Sequence, residues 1–345
     1  MKATYKRYVL NFKRPSGTSR GVLKTKETWF LKIQKADKIG IGECGILRGL
    51  SVDDRPDYEE KLQWLCENIN RDKAFLFETL KIYPSLIFGL EMAFKSLESA
   101  HPFELYQTDF VNNNQGIPIN GLIWMGPKDF MLEQIKAKIE IGFRCIKLKI
   151  GAINFEQEIE LLKFIRRSFS ADVLELRVDA NGAFSPETAL DKLETLSQFN
   201  LHSIEQPISA GQAEQMYQLC QKTPLPIALD EELIGVFEKE ERAALLDQIQ
   251  PQYIILKPSL IGGLQESLNW ISLANQRDIG WWITSALESN IGLNAIAQLT
   301  SSLATEMPQG LGTGSLYTNN ITSPLEVNGD QIFYNKSKSW EKTIL

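Results

Sequence analysis

Apolar and polar positions alternate over residues 3–12 and 28–43 ("TWFLKIQKADKIGIGE"), which predicts strands punctuated by glycine, because successive strand side chains point to opposite faces. Between residues 57 and 100 the apolar spacing changes to three and four, as in "YEEKLQWLCENI" and "LIFGLEMAFKSLES", and predicts helices. Strands followed by helices give an α+β unit over residues 1–115, and the polar stretch "QTDFVNNNQG" at 107–116 reads as a linker. From Ile117 the texture becomes regular. Eight short apolar runs, "IPINGLI", "CIKLKI", "LELRVD", "HSIE", "PIALD", "YIILK", "GWWITS" and "MPQGLGTG", end in a polar or Gly residue, with helix-like segments between them. Strand alternating with helix implies parallel βαβ units, and eight strands in about 200 residues predict a closed (β/α) barrel over residues 116–314.

One strand breaks the apolar rule for a parallel sheet covered on both faces. "CIKLKI" places Lys147 and Lys149 two residues apart, on the same face. Barrel enzymes carry their chemistry at the C-terminal ends of the strands, so the strand ends name the candidate site. They are Lys147, Lys149, Asp179, Glu205, Asp230, Lys257 and the "SALES" segment at 285–289. The steps from Lys149 to Asp179, Glu205, Asp230 and Lys257 are 30, 26, 25 and 27 residues, one βα unit each, which predicts charges at one height on neighbouring strands. Three carboxylates so placed repel unless they are protonated or hold a cation. An all-oxygen set without histidine or cysteine suits a hard divalent ion, Mg²⁺, with Mn²⁺ as an alternative occupant. A single Asp could equally cap the next helix, and a single Lys could snorkel to water; three acids in register, flanked by lysines, favour a site. A partly desolvated lysine near a dication and another ammonium is expected to have a lowered pKa and to act as a general base.

Composition narrows the partners. The net charge of −6 and pI near 5.3 argue against nucleic acid, whose phosphates need a basic surface. No run approaches a membrane span or a signal peptide, so a soluble, cytoplasmic protein without membrane contact is expected, as monomer or homo-oligomer. Cys44, Cys66, Cys145 and Cys220 are far apart and read as buried thiols. Two histidines, His101 and His202, leave little room for histidine chemistry.

The ordered set "KLK" at 147–149, "RVDANGAF" at 177–184, "IEQPI" at 204–208, "ALDEEL" at 228–233 and "ILKPSLIGG" at 255–263 resembles the enolase superfamily, in its muconate-lactonizing-enzyme-like subgroup, over nearly the whole chain. The resemblance implies an α/β fold, a (β/α)7β modified TIM barrel with an N-terminal α+β capping domain completed by the tail at about 315–345. It implies Asp179, Glu205 and Asp230 as Mg²⁺ ligands, with Lys149 and Lys257 as catalytic residues on opposite sides. Loops at 14–21 ("RPSGTSRG") and 45–51 ("GILRGLS") are expected to close over a small-molecule carboxylate substrate.

Within the subgroup, "TSALESNIGLNAIAQLTS" and "GLGTGSLYTNNITSPL" are most similar to the o-succinylbenzoate synthases of menaquinone biosynthesis. These dehydrate 2-succinyl-6-hydroxy-2,4-cyclohexadiene-1-carboxylate to the aromatic acid. Arg177 is expected inward, either contacting a substrate carboxylate or bracing the metal ligands, and Asn181 either meets substrate or shapes the turn. Lys147, Ser285, Glu288, Ser289 and Gly312 complete the candidate contacts. The rival enzyme is an N-acylamino acid racemase or another epimerase or cycloisomerase of the superfamily, using the same two lysines. "GLGTGSLYT" lacks the Asp-x-Asp pair of the dipeptide epimerases, and no histidine lies on the seventh strand for mandelate-racemase chemistry. A barrel that binds without turnover would be expected to have lost one of the five site residues.

Overall fold

Three antiparallel strands open the chain: β1 (Lys2–Thr18), β2 (Gly21–Lys35) and β3 (Lys38–Gly45). The structure is a computed structural model that describes residues 1–18, 21–151, 153–303 and 305–341; Ser19 and Arg20 of the expected 14–21 loop and the last four residues of the expected tail lie outside the described residues. The run 28–43 forms two strands, with Lys35 opposite Lys38 across a turn at Ala36, φ 51°. Ala-Asp carries no glycine or asparagine turn signal, so the alternation reads straight through it.

Helices Tyr58–Asn68, Lys73–Thr79 and Pro84–Glu98 cover one face of this sheet, where Trp29, Leu31 and Ile33 join Leu62, Leu65, Leu86 and Leu90 in one core. The helix Pro84–Glu98 comes so close to β3 that a Cβ on Gly42 would stand 1.9 Å from the Gly89 carbonyl oxygen. Only glycine permits this approach. The other face carries Phe30 and Ile41 into the main core. The predicted linker is no free connection: it contains the short helix Asp109–Asn112, and Phe110 and Val111 are fully buried.

Next come β4 (Ile117–Pro118) and β5 (Gly121–Ile123), then β6 (Cys145–Lys149), β7 (Glu175–Asp179), β8 (Ser203–Glu205), β9 (Ile227–Leu229), β10 (Tyr253–Leu256) and β11 (Gly280–Ile283). Strands β5 to β11 form one parallel sheet in sequence order. The result is a mixed α/β fold with a parallel, curled sheet. The expected first barrel strand is divided, because β4 pairs instead with a C-terminal hairpin, β12 (Leu325–Asn328) and β13 (Gln331–Tyr334). The expected eighth strand is reduced to isolated bridges, Ile119 with Gln309 and Thr284 with Gly310, which touch both edges of the sheet. Pro308, Gly310, Gly312 and Gly314 explain its brevity, since proline removes a ladder donor and glycine weakens a strand.

The tail divides its contacts as well. Tyr317 bridges Phe12, and Asn319 bonds the backbone of Val9 and Asn11, so 317–319 returns to β1. Residues 325–334 return to β4, and Trp340 stacks on Phe103. Among the described residues no helix is long and apolar enough to cross a membrane. Cys44, Cys145 and Cys220 are buried free thiols; Cys66 is half-buried.

Glu91, on the helix Pro84–Glu98, accepts backbone N–H bonds from Leu264 and Gln265 at the start of the helix Gly263–Asn275. Burial pushes its carboxyl up from 4.5 to about 7, against the pull of these N–H groups and of Lys95. The native state therefore holds this proton more tightly than the unfolded chain does. Its stabilising contribution is full below about pH 4.5 and is lost as pH rises through about 7. Glu91→Gln is expected to remove this dependence, so melting temperature falls less between pH 5 and 8 than in wild type; parallel melting curves for the two proteins would refute it.

Candidate active site

Pairing register builds the site. Lys149 lies opposite Asp179, Asp179 opposite Glu205, and Glu205 opposite Ala228. Asp230 stands two residues beyond Ala228, and Lys257 two further still, since Tyr253 pairs with Ala228. The charges are thus staggered in hydrogen-bond register, not level as the spacing suggested. Strands in a curled sheet tilt, so a two-residue step in register returns a side chain to the same height on the axis.

The side chains do meet. Lys147 donates to Asp179 Oδ2 at 3.1 Å and to Glu205 Oε2. Lys149 donates to Asp179 Oδ2 at 2.9 Å and to Asn181 Oδ1 at 2.6 Å. Lys257 donates to Asp230 Oδ2 and lies 3.7 Å from Glu205 Oε1. Three ammonium groups thus balance three carboxylates, and this answers why one strand carries two lysines: Lys147 neutralises buried acids on the next two strands.

Charge is unevenly shared. Burial raises the Asp179 carboxyl, but Lys147, Lys149 and Lys257 outweigh it and hold it below the usual range. At Asp230, burial together with Glu231 and Glu205 wins over Lys257, and the carboxyl is pushed well up. Burial lowers Lys147 and Lys257, but the surrounding acids overcome it and raise both. The expected lowering of a site lysine was tied to a dication beside it; with carboxylates as its neighbours, Lys257 shifts upward.

Among the described residues no three acid, histidine or cysteine side chains converge as a ready ligand cluster, because each acid is turned to an ammonium. The donors nevertheless suit a hard cation. Glu205 Oε1 is buried without a hydrogen bond, and the Asp230 side, with Glu205 and Glu231 against Lys257, holds excess negative charge. Asp179, Glu205 and Asp230 are the residues that could hold it.

Lys147, Lys149, Asp179, Asn181 and Lys257 line a cavity of ≈ 1010 Å³ of empty volume, its open mouth included. Ser285 and Gly312 line it too, together with Gly21, Leu47, Arg48 and Leu50 from the loops expected to close over substrate. Arg177 does not. It lies one inward-facing step before Asp179, opposite Lys147 in the ladder, over the Trp282 ring at 4.5 Å, bonded to Glu175 and to the Pro308 carbonyl. The strand-face rule placed it inward correctly but could not say how deep. Glu288 and Ser289 also miss the cavity wall, because the chain has already turned into the next helix: Glu288 accepts from Ser259 Oγ at 2.5 Å, and Ser289 caps Asn290–Ser301. Asn181, at φ 45° on the cavity wall, receives Lys149 and donates to Glu231.

Gln206 was missed. Buried at φ 40°, it accepts the Asp230 N–H at 3.1 Å and donates to the Ile208 carbonyl, fixing where Asp230 begins. A polar side chain directly after Glu205 was the available signal. Trp124 and Leu122 of the cavity wall gave none, since apolar residues at strand ends look like core.

Residues 131–333 match the family described as Enolase C-terminal domain-like. The chain belongs to this family. Among its enolase-like relatives, the o-succinylbenzoate synthase of Desulfotalea psychrophila (strain LSv54 / DSM 12343) is 49% identical over 360 residues, covering 95% of this chain and 98% of the relative. The crystal structure of MenC from Desulfotalea psychrophila LSv54 superposes with a TM-score of 0.86 at 44% identity, covering 96% and 99% of the two chains. The o-succinylbenzoate synthase from Thermosynechococcus elongatus BP-1, solved with Mg in its active site, shares the enolase-like fold with a TM-score of 0.73 at 22% identity, over 90% and 92% of the chains.

Proposed function

We propose that this chain catalyses the o-succinylbenzoate synthase reaction, dehydration of 2-succinyl-6-hydroxy-2,4-cyclohexadiene-1-carboxylate to 2-succinylbenzoate in menaquinone biosynthesis, in the cytoplasm. The observation that carries it is likeness to the Desulfotalea psychrophila synthase along nearly the full length of both chains. The proposal extends to architecture. Residues 116–314 make a (β/α)7β barrel closed through Gln309 and Gly310, and residues 1–115, with the tail, cap it.

Asp179, Glu205 and Asp230 are proposed as the ligands of a divalent cation, Mg²⁺ or Mn²⁺. Held there, such an ion would supply positive charge beside the substrate carboxylate. Lys149 Nζ, after giving up the proton it holds beside Asp179, takes the proton α to the carboxylate; as an ammonium it then protonates the departing hydroxyl, which leaves as water. Asp179 and Asn181 aim that nitrogen into the cavity. Lys257, kept charged by Asp230 and Glu205, faces the intermediate as a fixed cation from a strand four places along the sheet. Leu47, Leu50, Trp124 and Leu287 make the wall apolar and limit water.

The test is formation of aromatic product from the cyclohexadiene acid, followed in the ultraviolet with Mg²⁺ present. Lys149 and Lys257 lining one cavity also suit a two-base racemase, so N-succinylamino acids in D₂O form the second arm. Racemisation with α-deuteration but no aromatic product would overturn the synthase reading.

A further inference from the structure

We infer that Glu43 is a positioning residue that joins two walls of the cavity; this rests on the proposed function only for what its substrate is. Glu43 sits at the end of β3, fully buried, on the face turned to the barrel. Its Oε1 accepts the Ser289 N–H at 2.8 Å and Thr28 Oγ1 at 2.9 Å; its Oε2 accepts Ser289 Oγ at 2.5 Å and the Gly292 N–H at 2.8 Å. A carboxylate from one unit thereby caps the first turn of a helix in the other, Asn290–Ser301, where unpaired N–H groups and the helix dipole favour negative charge. A Cβ on Gly292 would stand 3.0 Å from Glu43 Oε2, so glycine lets the carboxylate reach the turn.

What lies within a few residues on each side gives this contact its consequence. Beyond Glu43, the chain enters the loop that supplies Leu47, Arg48 and Leu50 to the cavity. That loop follows directly on β3 and is knit into a block by Leu47 N–H to Ser51 Oγ and Gly49 N–H to Asp54, both 2.8 Å. Before Ser289 lies the opposite wall, Ser285, Ala286 and Leu287. Leu287 has φ 63°, a left-handed conformation that a branched side chain adopts only when its surroundings impose it. Ser285 Oγ accepts its N–H, Tyr317 donates to its carbonyl, and Glu43 holds the backbone two residues on.

Glu91 supplies the internal contrast. It caps another barrel helix from the same unit, but neither Leu264 nor Gln265 lines the cavity. Loss of Glu91 should therefore loosen docking without disturbing either wall.

The experiment compares Glu43→Gln, Glu43→Ala with Ser289→Asp, and Glu91→Ala in the full chain, by steady-state kinetics and by hydrogen exchange mass spectrometry. Glu43→Gln is expected to raise KM at least about tenfold with kcat within about threefold, and to speed exchange at 45–51 and 285–292 while the strands stay protected. Glu91→Ala is expected to leave KM within about twofold. In the double variant an aspartate restores negative charge at the helix start but not the link, so melting temperature should recover while KM stays high. Recovery of KM together with stability, unchanged exchange at both loops in Glu43→Gln, or an equal KM rise in Glu91→Ala would overturn the inference. Exchange needs no substrate, so an inactive wild type would defeat the proposed reaction and leave the exchange comparison intact.

Discussion

Replacing Lys149 with alanine is expected to lower aromatic product formation by about 10⁴-fold, the upper range for a group that moves protons in a transition state. The size of the effect follows from one nitrogen acting twice, first removing the α proton and then delivering a proton to the hydroxyl. Folding should survive, because Asp179 keeps Lys147 as a partner at 3.1 Å. Arginine distinguishes the two lysines. A guanidinium stays protonated, so Lys149→Arg should be as inactive as the alanine variant, whereas Lys257→Arg keeps a fixed positive charge and should retain measurable turnover. Ultraviolet kinetics on the three variants decide it, and appreciable turnover by Lys149→Arg would remove the proton-transfer role.

The second large effect is expected at Glu205. Glu205→Gln should lose Mg²⁺-dependent activity by about 10³-fold or more, as for removal of a group that holds transition-state charge in place. Wild type should melt at a higher temperature as Mg²⁺ is added, because an ion that binds only the folded state stabilises it. The variant should show little such rise. Chelation should abolish wild-type turnover without unfolding the chain, since Lys147, Lys149 and Lys257 already balance the three acids. A glutamine at 205 also leaves Lys147 with one carboxylate instead of two, so a modest loss of baseline stability is expected. Equal Mg²⁺-induced melting shifts in both proteins would show that Glu205 is not a ligand.

Much of this site was legible in the sequence. The lysines and acids stand at apolar strand ends one βα unit apart, and a parallel sheet built from such units must bring consecutive strand ends together. Lys147, Lys149, Asp179 and Lys257 all reach the cavity for that reason. Arg177 shares their inward face, and only its neighbours Trp282 and Glu175 show that it belongs to the floor.

Strand alternation, βα spacing and the charged strand ends are local patterns with fixed periods, so the order of residues alone determined the parallel sheet, the α+β unit before it and the identity of the charged cluster. Partners far apart in the chain were decided by packing. Nothing near Glu43 in the sequence points to Ser289, 246 residues away, nor anything near Lys147 to Glu205 as its buried counter-charge. The directions of the lysine shifts were decided in the same way, because a pKa answers to whichever charges the fold brings within a few ångströms, and those distances exist only once the strands have curled.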